Sequence, residues 1–269
     1  MRAGGRVLRG SSMLVRAGSA TDVGRVRDHN EDSVISGSRV FAVADGMGGH
    51  AAGEVASGIV VDALTALEQR PPTRPEDVTE VLREANRRIL AAVAEHPELR
   101  GMGTTVTGVT VVDTGGREHW VVFNVGDSRV YRLVDNRMHQ VTRDHSEVRE
   151  LLDAGLLDAS EVARHPLRNV ITRSLGTDPA PEVDVWVLAP TPGERFVVCS
   201  DGLSGELDDR DIMLLARQYA DPQNAADELV GAAVRAGGRD NVSVVVVAVE
   251  AGEDDDDADT APRAGLHRP

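Results

Sequence analysis

The sequence predicts an α+β fold built in layers, and three observations carry that prediction. Two pairs of amphipathic helical segments bracket two runs of strand-like segments. The strands are separated mostly by short Gly, Asp and Asn turns, as antiparallel hairpins require. No internal repeat or linker divides the chain. Each sheet must therefore bury one face against the other and its second face under a helix pair. The expected architecture is an α-β-β-α four-layer sandwich, two mostly antiparallel sheets flanked by helix pairs, formed by one domain over residues 13–250.

Residues 1–12 are rich in Arg, Gly and Ser, lack periodicity and are expected to be a disordered extension, with Met13 as an alternative start. Leu14–Asp22 forms a first strand, and the polar stretch that follows, GRVRDHNED ending at Asp32, reads as a loop. Ser33–Ser36 and Val40–Ala44 make a hairpin about Gly37 and Ser38. Helical spacing then appears twice. Val55, Ala56, Ile59, Ala63, Leu64 and Leu67 mark Ala52–Leu67, and Val78, Val81, Leu82, Ala85, Ile89 and Val93 mark Pro75–Glu95. Pro71, Pro72 and Pro75 separate the two helices.

Strands Thr104–Val112, Glu118–Val125, Arg129–Val134 and Met138–Thr142 come next, with turns at Gly115-Gly116, Gly126-Asp127 and Asp135-Asn136, and read as a meander. From Ser146 to Asp178 the pattern weakens to a short helix, Val148–Ala154, within a Gly-, Asp- and Arg-rich loop. Irregular chain of that length inside a domain is more often functional than idle. Strands Val183–Leu188 and Arg195–Ser200, helices Asp211–Tyr219 and Ala225–Ala236, and strand Val242–Val249 complete the domain. Residues 251–269, with Glu253, Asp254, Asp255, Asp256, Asp257 and Asp259 against Arg263 and Arg268, are expected to be a solvated, disordered tail.

Composition excludes several function classes. A formal charge of −15 with no basic arm argues against nucleic-acid binding. No apolar stretch approaches the roughly 20 residues of a membrane span, and the N-terminus has no signal-like apolar core. The single Cys199 rules out an intramolecular disulfide and suits a reducing cytoplasm, the expected location. It lies within an apolar strand, where a thiol is an inert packing group.

The chemistry-bearing stretch is Val40–Gly49, VFAVADGMGG, an apolar strand running into Asp45 and a turn of glycines. Two readings of Asp45 are open: a cation ligand at a strand end, or a turn aspartate bonded to its own backbone. The same punctuation recurs in VVCSDG, ending at Asp201-Gly202, and in GGRDNVSVVV, which places Asp240 and Asn241 before a strand. Three aspartates at strand edges are what a hard divalent cation needs, since such ions take carboxylate, carbonyl and water oxygens.

Seven blocks then carry a family resemblance: RDHNED (Arg27–Asp32), DGMGG from Asp45, GMGTT (Gly101–Thr105), NVGDSR (Asn124–Arg129), ITRSLG (Ile171–Gly176), Ser200-Asp201-Gly202 and GRDN ending at Asn241. In order and spacing the chain from Thr21 to Val249 resembles the PPM family, the metal-dependent type 2C protein phosphatases, in its bacterial form. The resemblance implies hydrolysis of phosphoserine and phosphothreonine by a hydroxide bridging two Mn²⁺ or Mg²⁺ ions. Phosphorylated proteins are the implied partners, in circuits with Ser/Thr kinases and their substrates.

The same resemblance implies roles. Asp45 would bridge two ions, the Gly46 carbonyl would bind one, and Asp201 and Asp240 the other. Glu31 and Asp32 would act from outside the shell through bound water. Asp127 matches the position that, with Asp201, holds a third and weaker ion. Arg27 is the candidate phosphate clamp, because a guanidinium can hold two phosphoryl oxygens, and Asn241 would fix the loop carrying Asp240. Residues 145–178 match the family's flap, in which Arg149, Arg164, Arg168 and Arg173 could meet acidic substrates. One departure concerns Met47, which replaces a histidine taken as general acid in many eukaryotic relatives. Leaving-group protonation then falls to water or to His50. Two rival readings are a catalytically silent phosphoprotein-binding pseudophosphatase and a hydrolase of small phosphate esters.

Overall fold

The computed structural model describes residues 13–48, 52–70 and 74–250. Expectations for residues 1–12, His50, Pro71, Pro72 and 251–269 fall outside the described residues. In chain order the strands are β1 (Val15–Asp22), β2 (Asp32–Ser36), β3 (Val40–Met47), β4 (Gly103–Thr104), β5 (Val106–Asp113), β6 (Glu118–Val125), β7 (Arg129–Val134), β8 (Arg137–Gln140), β9 (Asp184–Leu188), β10 (Arg195–Cys199) and β11 (Val242–Val249). The helices are α1 (Ala52–Gln69), α2 (Pro75–Glu95), α3 (Glu147–Asp153), α4 (Asp201–Ser204), α5 (Asp209–Gln218) and α6 (Pro222–Ala236).

Two antiparallel sheets result. One runs β1-β11-β10-β7-β8, the other β2-β3-β5-β6-β9 with β4 on the end of β3. The near-continuous apolar strands follow from burial on both faces. Along β3, Ala42 and Ala44 face Val60, Leu64, Leu82 and Ile89 of α1 and α2, whereas Phe41 and Val43 face the opposite sheet. Along β11, Val244 and Val246 pack with Ile212 and Leu229 of α5 and α6, whereas Val245 and Val247 point inward between the sheets. Three apolar layers thus separate four structural layers, as expected.

Aromatics are scarce, and they concentrate between the sheets. Phe196 meets Trp120 edge-on with ring centroids 5.1 Å apart. Trp120 Nε1 donates to Glu194 Oε1 at 2.8 Å, and Arg132 Nε donates to Glu194 Oε2 at 2.6 Å. A buried carboxylate is tolerated there because its charge is paired and its oxygens are satisfied.

The expected meander is corrected: β5 and β6 lie in one sheet, β7 and β8 in the other. The chain changes sheets across residues 126–128, so the turn carrying Asp127 spans the two layers. Hairpin punctuation looks the same whether the next strand pairs locally or crosses over, so periodicity could not distinguish them. The predicted strand from Thr104 is also interrupted, because Thr105 turns toward Asp45 and leaves β4 as a separate pair of residues. Asp45 lies inside β3, which runs on to Met47, and Asp201 opens α4 rather than ending a strand. Helices α5 and α6 start earlier than their apolar pattern because Asp208 accepts from Asp211 N, and Asp221 from Gln223 N and Asn224 N.

Replacing Phe196 by Ala removes the ring that fills the space between the sheets. The variant is expected to lose about 3–5 kcal/mol of unfolding free energy in urea titrations.

Candidate metal centre

The ends of β3, β6 and β10 and the start of β11 meet at one edge of the sandwich, and each delivers a carboxylate. Asp32 pairs with Asp45 in the β2–β3 register. Asp127 follows β6, Asp201 opens α4 after β10, and Asp240 precedes β11. Arg27, Asp127, Asp201 and Asp240 line one cleft of about 780 Å³, which the 145–178 segment closes on its far side with Ser146, Val148, Arg149, Leu152, Arg168 and Asn169. A smaller hollow of about 480 Å³ lies at the other ends of β7 and β10, beside Asp135, Asn136 and Pro192, away from these aspartates.

Close glycine contacts bring the loops together. A Cβ at Gly202 would lie 1.9 Å from the Asn241 carbonyl oxygen, which seats the Asp201 turn directly against the Asp240 loop. At Gly46 a Cβ would lie 2.2 Å from the Gly53 oxygen and 2.5 Å from the Glu31 oxygen. No side chain fits at either position, so the second residue of each Asp-Gly pair is dictated by packing.

Asn241 makes the cross-connection. Its Nδ2 donates to the carbonyls of Val23 and His29 at 3.0 and 2.9 Å, and its Oδ1 accepts from Glu31 N at 2.9 Å. It therefore pins the Arg27–Glu31 loop as well as sitting beside Asp240, whose Oδ1 accepts from Asn241 N. Glu31 Oε1 accepts from Gly53 N at 3.2 Å, which points its carboxylate at the start of α1. Thr105 holds Asp45 by both backbone groups: Thr105 N donates to Asp45 O at 2.9 Å, and Thr105 Oγ1 accepts from Asp45 N at 3.1 Å. Thr105 Oγ1 also bonds Ser128 Oγ at 2.8 Å, tying Asp45 to the Asp127 turn across the two sheets.

The electrostatics are unfavourable without a cation. Asp45 is held well above the usual carboxylate range by burial and then by the charges of Asp32, Asp201, Asp127 and Asp240. Burial, with Asp201 and Asp240 nearby, pushes Asp32 up to about 7 despite the hydroxyls of Ser243 and Ser200. Asp127 is raised to about 7 by burial and Asp201, and Asp201 to about 6 by burial and Asp240. Among the described residues Arg27 is the one basic side chain ion-paired to any of these aspartates, its NH2 2.8 Å from Asp240 Oδ2. That hydrogen bond and charge hold the guanidinium even more firmly protonated.

The donor set fits hard divalent cations. Asp32 Oδ1 and Asp127 Oδ1 are buried with no hydrogen-bond partner, an arrangement that costs free energy unless something positive meets them. Among the described residues no three His, Cys, Asp or Glu side chains form a ready ligand cluster on their own.

Several residues around the site were not assigned from the sequence. Arg129 of the GDSR block forks onto Asp144, NH2 to Oδ2 at 2.7 Å and Nε to both oxygens at 3.1 Å, and its NH1 donates to Tyr131 Oη. Burial alone would lower its pKa, but Asp144 reverses this and keeps a fixed positive charge at the cleft wall. Thr104, Thr105, Ser128 and Asn124 act through hydrogen bonds to turns, and nothing in their spacing signals such roles. Arg173 is turned to Asp184 at 2.7 Å, and Arg149 to Asp153 at 3.0 Å. Met47 sits opposite Gly103 in the β3–β4 pair, and no histidine lines the cleft among the described residues.

The fold is a two-sheet sandwich with carboxylates gathered at one edge, and comparison with known proteins identifies the family. Residues 25–232 match the family model described as protein phosphatase 2C. The serine/threonine protein phosphatase PstP of Mycobacterium tuberculosis is 40% identical over 240 residues, covering 88% of this chain and 46% of the relative. This chain thus spans about half the length of that protein. The serine/threonine phosphatase stp of Listeria welshimeri is 34% identical over 238 residues, covering 84% of this chain and 93% of the relative. The crystal structure of the PstP catalytic domain with two manganese ions superposes with a TM-score of 0.79 at 37% identity, covering 89% of this chain and all of that one. The chain belongs to the protein phosphatase 2C family.

The raised carboxylates set a pH dependence. They bind protons more tightly folded than unfolded, so the stability they contribute is complete below about pH 4 and is lost as pH rises through about 6 and 7. In thermal melts the metal-stripped protein is expected to lose midpoint temperature from about pH 5 to about pH 8, and Mn²⁺ to raise the midpoint more at the higher pH. An equal gain at both would contradict the charge-repulsion account.

Proposed function

We propose that this chain is a metal-dependent protein serine/threonine phosphatase, hydrolysing phosphoserine and phosphothreonine in proteins, among them Ser/Thr kinases and their substrates. The observation that carries the reading is the convergence of Asp127, Asp201 and Asp240 on Asp45, whose carboxyl their charges hold above its usual range, with Arg27 at the mouth of the same cleft. Asp45, the Gly46 carbonyl, Asp201 and Asp240 would hold two Mn²⁺ or Mg²⁺ ions, Asp127 with Asp201 a third, and Glu31 and Asp32 would orient bound water. Such ions supply the positive charge that a phosphate monoester dianion needs, together with an activated water.

The chain's own groups do the rest. Arg27 pairs with Asp240 here, and cations binding that carboxylate would free the guanidinium to take two phosphoryl oxygens. The cleft of about 780 Å³ admits a phosphorylated side chain with flanking peptide, and Arg168 lines it on the flap side. Met47 cannot donate a proton, so protonation of the leaving oxygen falls to water or to His50, which lies outside the described residues. Cys199 is buried, with its thiol pushed up to about 12 by burial, which keeps it protonated and unreactive in a cytoplasmic setting.

Manganese titration of phosphopeptide and p-nitrophenyl phosphate hydrolysis tests the reading. Turnover of both should rise and saturate with metal, and Asp201→Asn should lower kcat at least about 100-fold. Turnover of neither at any metal level would favour a silent binding domain, and turnover of the small ester alone a small-molecule hydrolase. Arg27→Ala should raise KM for the phosphopeptide about tenfold or more, with Arg27→Lys recovering only part of it.

A further inference from the structure

His145 stands at the head of the flap, 97% removed from solvent, and uses every polar atom it has. Its backbone N donates to Gly126 O at 2.9 Å, while its ring Nδ1 accepts from Gly126 N at 3.0 Å. The same residue is thus bonded twice to the residue that precedes Asp127. Because an amide N–H can only donate, Nδ1 must be unprotonated, and the ring proton sits on Nε2. Nε2–H then donates to Asp184 Oδ2 at 3.1 Å on β9. Arg173 NH1, 3.0 Å from the same nitrogen, finds its acceptor in Asp184 Oδ1 at 2.7 Å.

Those contacts gather both roots of the flap. Thr172 N donates to His145 O at 2.9 Å, and Glu147 N to Val170 O at 2.9 Å, closing the Ser146–Ile171 bridge. Arg173 follows on the returning chain. The Gly126 turn has little freedom to compensate for losing the ring. Its φ of +112° suits glycine, a Cβ there would lie 2.6 Å from Thr105, and Asn124 Nδ2 holds its carbonyl at 3.0 Å.

We propose that His145 is a positioning residue that couples the flap, through Asp184 and Arg173, to the turn presenting Asp127, and so sets the affinity of the weak ion that Asp127 helps to hold. This rests on the reading of Asp127 as a third-ion ligand. Asp45, Gly46 and Asp240 also have fastenings that do not pass through Gly126, namely Thr105 N to Asp45 O, Gly46 N to Glu31 O and Asn241 N to Asp240 Oδ1, so the two tighter sites should follow far less than the third. Burial lowers the His145 pKa, which agrees with the neutral ring that the geometry requires.

Two substitutions divide the ring's functions. His145→Asn keeps an acceptor where Nδ1 stood and loses the reach to Asp184. His145→Gln keeps a donor near the Nε2 position and loses the acceptor facing Gly126. Amide exchange in the metal-free full chain should be about tenfold faster at Gly126 and Asp127 in His145→Gln than in His145→Asn or the unaltered protein. In calorimetric Mn²⁺ titrations, His145→Gln should weaken the third ion about tenfold and the two tight ions far less. A merely structural role would move thermal stability and all three sites together. Unchanged exchange in His145→Gln would overturn the clasp. Faster exchange with unaltered third-ion affinity would overturn the coupling. Asp127→Asn serves as control: if it binds as many ions as the unaltered protein, the third-ion reading fails, while the exchange measurement still decides the clasp.

Discussion

Like charges forced together at the edge of the sandwich are the constraint on which the rest depends. Asp32, Asp45, Asp127 and Asp201 all lie in the same desolvated space and each raises or is raised by another. Left free, such carboxylates separate or take up protons. They stay because each is carried on backbone that has no slack: β2 and β3 in register, the Thr105 clamp on Asp45, the Gly202 contact with Asn241 and the bonded Gly126 turn. The fold stores electrostatic repulsion in a rigid frame, which bound divalent cations would relieve. Affinity for the ions and strain in their absence are two descriptions of one arrangement.

The frame works because two sheets contribute. Asp45 and Asp32 come from the β2-β3 side, and Asp201 and Asp240 from the β10 and β11 side, so the carboxylates straddle the seam between layers. Threonine, serine and asparagine hydroxyls and amides cross that seam: Thr105 to Ser128, Ser200 to Asp32 at 2.9 Å, and Asn241 to Glu31. Hydrogen bonds of this kind are individually modest. Together they prevent the sheets from sliding, because any shift breaks several at once. The apolar layer of Phe41, Trp120, Phe196 and the inward valines supplies the bulk adhesion, and the polar seam sets the registration.

Much of this was legible in the residues. The amphipathic helices α1, α2, α5 and α6, the closing strand Val242–Val249 and the hairpin about Gly37 followed from periodicity and turn chemistry. Asp45, Asp201 and Asp240 stood out because a carboxylate at the end of an apolar run is costly without a partner. Other features were hidden. The crossing at residues 126–128 looks like any glycine turn, and α4 is four residues long with no period to detect. His145 carries no local signal, since its partners Gly126, Arg173 and Asp184 lie 19 to 39 residues away.

The sequence by itself determined most of the strands and the four long helices, which side chains are able to bind a hard cation, and that a helix pair must cover each sheet. Those properties are local: they depend on side-chain size, branching and charge repeated at short spacing. Tertiary structure alone decided which sheet each strand joined, that Asp127 would face Asp201 across the seam, and that Asn241 would lock the Arg27 loop rather than only its own. Such choices turn on burial and hydrogen bonding between residues far apart in the chain, and no short-range pattern encodes a partner that only folding brings within reach.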